Sequence, residues 1–242
     1  MKRTFLLACI CSCLVSCISR QYMVLNKGIG GNNTNDLLKR LDRDVVAERP
    51  DLVVIMVGTN DMVNSGKWTT YTRFTDNYRQ IIRKLKTEKI SMVLMSPPPV
   101  DTGYIFKRHE RVLYHEQPNA RLDSIDCIIR MLAAENHVHF IDINNVFKQY
   151  SSPSRDAHSL VINSLNYGRE DGVHPTKDGY RIIASQVFEY LQHHHLLKKN
   201  RKIVCFGDSI TYGAFMAGAG TAEGDTYPAF LYDSIKDHRK RL

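Results

Sequence analysis

The chain has little cysteine where a fold could use it, a single tryptophan, and no apolar run long enough to span a bilayer. Four of its six cysteines (Cys9, Cys11, Cys13 and Cys17) fall in the first seventeen residues, leaving Cys127 and Cys205 for the body of the protein. That excludes the dense disulfide framework of a small secreted scaffold. Cys205 lies inside an apolar strand pattern and Cys127 inside the helical pattern "LDSIDCIIRMLAAE", so two buried free thiols are expected. No histidine, cysteine or carboxylate spacing suits a metal. The triplet His193 to His195 sits on a helical pattern, where adjacent side chains point in different directions and make a poor tetrahedral site. Neither metal nor cofactor is therefore expected. Internal repeats and low-complexity tracts are also missing, which removes solenoid and disordered architectures.

Charge is unbalanced but not patterned. The 33 lysines and arginines exceed the 25 acidic residues, for a net charge of +8, and basic clusters occur only at Lys198 to Lys202 and Lys236 to Leu242. Without interleaved aromatics or a recognised motif, this reads as a solvated or membrane-facing surface, and no nucleic-acid partner is expected.

What is present begins with a leader. Lys2 and Arg3 precede an apolar run from Phe5 to Val15, too short to cross a membrane and right for a signal peptide. The run ends "LVSC", which resembles a bacterial lipobox with Cys17 as the acylated residue. The expectation is an exported lipoprotein, with residues 1–21 as signal and tether and residues 22–242 as one folded domain. A chain of 242 residues, 43% of them hydrophobic, can bury a full core of that size.

Strand-like apolar runs recur at Tyr22 to Leu25, Leu52 to Val57, Ser91 to Met95, Val138 to Ile141 and Ile203 to Phe206. Helical patterns lie at Asn35 to Glu48, Thr70 to Thr87, Asn119 to Asn136, Lys177 to Leu196 and Tyr227 to Lys240. This alternation predicts a doubly wound, three-layer α/β/α domain with five parallel strands. Ligands of such sheets sit beyond the carboxyl ends of the strands. The polar, glycine-rich segments predicted there are "NKGIGGNNT", "GTND", "DGVHP" and "GDSITYG".

Those four segments contain the parts of a serine hydrolase: a nucleophile, a base with an orienting acid, and donors for an oxyanion. Ser209 follows a strand directly, and Asp171 stands three residues before His174. The Gly-x-Ser-x-Gly elbow of α/β-hydrolases is missing. The blocks resemble the SGNH (GDSL-type) hydrolase superfamily, whose marks are Gly-Asp-Ser, Asn-x-Gly-x-x-Gly, Gly-x-Asn-Asp and Asp-x-x-His-Pro. The resemblance implies a flavodoxin-like fold and the roles of nucleophile for Ser209, base for His174, orienting acid for Asp171, and oxyanion donors for Gly31 and Asn60. Gly30 is the alternative to Gly31. In the superfamily the serine block comes first, whereas here it comes last, in residues 202–242, so the chain reads as circularly permuted.

The expected activity is hydrolysis of carboxylic esters, with O-acetyl groups on carbohydrate the substrate class that the resemblance implies. A lysophospholipase or thioesterase, or a sugar O-acetyltransferase, would use the same residues. A carbohydrate-binding relic would not need all of them. Two further features are flagged by position: Trp68, as a core residue or sugar platform, and the aromatic and basic stretch Asp101 to Pro118, as a lid.

Overall fold

The computed structural model describes residues 22–198 and 202–241, and the leader with Cys17 lies outside them. Strand β2 (Leu52–Met56) shows how the architecture arises, because every one of its residues is buried. Val53 and Ile55 point to one face of the sheet, while Leu52, Val54 and Met56 point to the other. Strands β3 (Ser91–Met95) and β5 (Lys202–Gly207) alternate in the same way, so the sheet needs a helical layer on both sides. Each aliphatic side chain so buried contributes roughly 1.5–3 kcal/mol.

One layer is α1 (Thr34–Asp44), α3 (Tyr71–Thr87) and α5 (Pro118–Asn136), which bury Leu37, Leu41, Phe74, Tyr78, Ile125 and Ile129. The other is α6 (Ile143–Gln149), α7 (Lys177–His193) and α9 (Tyr227–Lys240), with Phe147, Tyr180, Ile183, Tyr227 and Leu231 against the sheet. Strands β1 (Met23–Gly28) and β4 (His139–Ile141) complete a parallel sheet in the order β1-β5-β2-β3-β4. The predicted three-layer α/β/α class is the observed one.

Three differences from the sequence expectations have physical causes. Strand β1 continues to Gly28, because Asn26, Lys27 and Gly28 pair in register with Cys205, Phe206 and Gly207 of β5. Cys205 is buried, and burial pushes its thiol up to about 12, but Cys127 is exposed. Helix α5 has only one buried stripe, formed by Leu122, Ile125, Ile129 and Leu132, and Cys127 falls outside it. Both thiols are free. Short helices α2 (Thr59–Val63), α4 (Thr102–Arg108) and α8 (Ser209–Tyr212) occupy rim segments that carry too few residues for helical periodicity to register.

Register fixes the rim. Gly207 of β5 pairs with both Gly28 of β1 and Met56 of β2, so the carboxyl ends of three neighbouring strands lie level. The segments that follow carry Gly31, Asn60 and Ser209. Lys202, at the start of β5, and Lys27, near the end of β1, both bind Glu48, which accounts for one charge of the first basic cluster.

Candidate active site

Each of the three rim segments is locked by local chemistry. Asp208 caps α8 by accepting from the Ile210 N–H, which sets Ser209 as the first residue of that helix. A Cβ at Gly28 would stand 2.0 Å from the backbone nitrogen of Tyr212, so only glycine lets the end of β1 approach α8 this closely. Gly31 has φ +74°, the left-handed region that glycine adopts without steric cost, and this turns the chain into α1.

Buried Arg40 joins these parts from below. Its guanidinium donates to the carbonyls of Lys27 and Gly207 and to Asn32 Oδ1, and is neutralised by Asp44 at 2.9 Å. Asp61, wholly buried at α2, accepts from the Thr34 N–H and from the hydroxyls of Thr34 and Thr69, pinning α2 to the start of α1. Burial pushes the Asp61 carboxyl up to about 6, with the Thr34 and Thr69 donors opposing it. The neighbouring Asn60 is thereby aimed. Its Oδ1 accepts from Asn64, and its Nδ2 donates to the Asn32 carbonyl at 2.9 Å, leaving the second amide proton for the rim.

The fourth segment is a loop tied to the strand-like stretch 160–163. Ile162 N–H donates to His174 O, Gly172 N–H to Ile162 O, and Asp101 N–H to Gly172 O. Within it, Asp171 Oδ1 accepts from the backbone N–H groups of Val173 and His174, at 2.9 and 2.6 Å. The imidazole Nδ1 lies 3.0 Å from both carboxylate oxygens of Asp171, and Nε2 lies 2.9 Å from Ser209 Oγ. Burial acts to raise the Asp171 carboxyl, but hydrogen bonds from His174 and the backbone outweigh it and hold it below the usual range. It is a carboxylate facing a ring N–H.

Ser209, His174, Asp171 and Asn60 therefore line one cleft of about 390 Å³, with apolar walls from Val63, Ile105, Val173 and Phe215. Gly31 is not among the lining residues; it lies at the rim, in the turn whose Asn32 carbonyl holds the Asn60 amide. A serine hydroxyl on an imidazole that is itself fixed by a carboxylate can be deprotonated as it attacks a carbonyl carbon.

The GDSL-like Lipase/Acylhydrolase family model matches residues 11–182. The chain belongs to that family. It is 28% identical over 171 residues to an acetylxylan esterase of Geobacillus stearothermophilus, covering 66% of this chain and 68% of the relative. It is 27% identical over 187 residues to the uncharacterized lipoprotein YqeF of Bacillus subtilis, covering 73% and 74%. Among solved structures, the acetyl xylan esterase AlAXEase superposes with a TM-score of 0.53 at 26% identity, covering 68% of this chain and 78% of that one. The protein is a serine ester hydrolase of the GDSL-like family.

Family blocks do not predict everything that lines the cleft. Phe215, Arg169 and Asn64 line it, and sequence reading passed over all three. Phe215 carried a usable signal, since a bulky aromatic two residues after Gly213 in a predicted rim loop has no core face to fill. The stretch flagged as a lid contributes Ile105, Arg108 and His109 as wall. Trp68 packs edge-on against Tyr114 with Arg121 over its ring, and does not line the cleft. Among the described residues no cluster of three His, Cys, Asp or Glu could hold a metal ion, and none of the helices is long and apolar enough to cross a membrane.

Proposed function

We propose that the protein is an exported, lipid-anchored esterase that removes O-acetyl groups from carbohydrate. The observation that carries the reading is the continuous contact from Asp171 through His174 to Ser209 inside a single cleft. His174 Nε2 takes the Ser209 proton as Oγ bonds to the ester carbon, and the carbonyl electrons move onto oxygen. The Ser209 and Gly31 N–H groups and the Asn60 amide receive that oxyanion. Collapse of the intermediate breaks the bond to the alcohol, which leaves with the proton from His174. Water then attacks the acyl-serine with His174 as base, releasing acetate and restoring the hydroxyl.

Acetyl as the acyl group and a sugar as the alcohol are supported by two relatives that act, by name, on acetylated xylan. Anchoring is supported by the lipobox ending in Cys17 and by the likeness to a lipoprotein. One experiment tests both. The full chain is expressed in a bacterium that processes lipoproteins, and membrane and soluble fractions are assayed on acetylated xylan and on aryl esters of increasing chain length. Activity is expected in the membrane fraction, fastest on acetyl esters, and Cys17→Ala moves it to the soluble fraction. Faster turnover of long acyl chains would overturn the acetylesterase reading, and unchanged partition of Cys17→Ala would overturn the anchor.

The order of the blocks belongs to the same reading. Counted from β5 as the first strand, the observed sheet order becomes 2-1-3-4-5, which is the flavodoxin-like winding. The family match ends before β5 begins. In the acetylxylan esterase of Geobacillus stearothermophilus the catalytic serine precedes the catalytic aspartate and histidine, whereas here Ser209 follows both. Helix α9 packs on β1, the strand that would follow it in the family order. Such an arrangement is tolerated when the joined ends lie near each other at the surface. A gene that starts at Lys202 and joins Leu242 to Tyr22 through a few added residues is expected to give the same fold and the same ranking of substrates. A product that stays unfolded with every joining length would refute the permutation.

A further inference from the structure

The charged groups on the cleft wall differ in whether they are already paired. Two carboxylates and two guanidinium groups face it: Glu170, Asp171, Arg108 and Arg169. Both carboxylates are already engaged, Asp171 with His174 and Glu170 with Lys107 Nζ at 2.6 Å. Neither arginine has such a partner among the described residues. Arg108 donates through Nη1 to a neutral acceptor, the Glu170 carbonyl, at 3.0 Å, and Arg169 lies over the Phe215 ring at 4.4 Å. His109, the other basic group on this wall, is held toward its neutral form by burial and by the nearby Arg108. With Lys107 set against Glu170, the two arginines outweigh the single Asp171 carboxylate, and the wall offers two guanidinium groups without an ion-pair partner among the described residues.

Phe215 fixes one of those donors close to the chemistry. Its backbone adopts φ +70°, a region costly for a bulky side chain, and its carbonyl is held by the Tyr167 hydroxyl at 2.6 Å. The ring meets the His174 imidazole edge-on at 5.0 Å, with Arg169 on it as well. The Arg169 guanidinium and the imidazole that touches Ser209 thus contact the same aromatic ring. Strain of this kind persists where surrounding contacts require it, and here the ring that holds it touches both a cation and the catalytic imidazole.

We infer that the preferred substrates are O-acetylated sugars that carry a carboxylate close to the acetylated hydroxyl, as in uronic acids. This deepens the ester-hydrolase reading and rests on it. A planar guanidinium pairs with a carboxylate through two parallel hydrogen bonds, and two such groups on the wall of the cleft that holds the nucleophile orient the ring as well as attract it. A phosphate next to an ester, as in a lysophospholipid, offers the same oxyanion chemistry from a different source.

The test compares kcat/KM of the purified chain on matched monoacetates of methyl glucuronide and methyl glucoside, with a lysophosphatidyl ester and an aryl acetate alongside. The uronate is expected to exceed the neutral sugar by about ten- to a hundred-fold, as for one charge-assisted hydrogen bond in a partly exposed site, and the ratio shrinks at high salt. In Arg108→Gln/Arg169→Gln the ratio falls toward one, and Arg169→Glu inverts it. Because the ratio is read within each variant, general loss of activity does not confound it, and thermal unfolding verifies the fold. A wild-type ratio near one, or a ratio unmoved in the double variant, would overturn the inference. Faster turnover of the lysophosphatidyl ester than of the uronate would overturn the sugar assignment. Failure on every ester, the aryl acetate included, would instead sink the ester-hydrolase reading.

Discussion

Ser209→Ala is expected to lower turnover on an aryl acetate by about a million-fold, the cost of removing the nucleophile from a serine triad. The size follows from what is left. His174 then has no hydroxyl to deprotonate, and no covalent intermediate can divide the reaction into two easier steps. What remains is ester bound near oxyanion donors, with water as a poorly placed nucleophile. Folding is not at risk, because Ser209 Oγ hydrogen-bonds His174, while the turn is held by Asp208 and by the close packing of Gly28 on Tyr212. Unchanged circular dichroism and thermal unfolding would establish that. A folded Ser209→Ala that keeps more than a few per cent of wild-type turnover would exclude Ser209 as the nucleophile.

Much of this site was legible because the chemistry is written in short blocks and the fold is written in periodicity. Five apolar runs with helices between them define a parallel sheet, and residues at the carboxyl ends of such strands meet whether or not they are close in sequence. Ser209 and His174 are thirty-five residues apart, yet their side chains touch. What could not be read is whatever depends on packing direction. Cys127 sits in an apolar stretch, but the rotation of α5 that buries Ile125 and Ile129 leaves it outside. Arg40 looks like one more polar residue on an amphipathic helix, although it is buried and joins the ends of β1 and β5. In sequence, Asp61 and Asp208 look like structural loop residues. The first is a wholly buried link between two rim helices. The second is a wholly buried cap, and burial lifts its carboxyl to about 7. Phe215 left a trace as an aromatic in a rim loop, but its positive φ cannot be foreseen for a non-glycine residue.

Asp171→Asn is expected to lower kcat by about ten-thousand-fold with the fold intact, which is the scale seen when an orienting aspartate becomes an amide. Asp171 does two separable things. Its Oδ1 accepts from the backbone N–H groups of Val173 and His174, shaping the loop, and both carboxylate oxygens face His174 Nδ1. Asparagine keeps an oxygen for the backbone donors and turns its NH2 toward the ring. Nδ1 must then accept, so the ring proton moves to Nε2, the nitrogen that has to receive the Ser209 proton. The hydrogen bond to Ser209 survives in reversed sense and the base is lost. Alanine would remove the loop donors' acceptor as well, so only the amide isolates the tautomer. Asp208 also lies near this site, but its carboxyl accepts from Ile210 N–H, and the hydrogen bonds at His174 Nδ1 go to Asp171. Steady-state kinetics on an aryl acetate, with thermal unfolding as the control for the loop, decide the matter. A folded Asp171→Asn within about ten-fold of wild type would mean that His174 holds its tautomer without Asp171, and that the contact between them is structural.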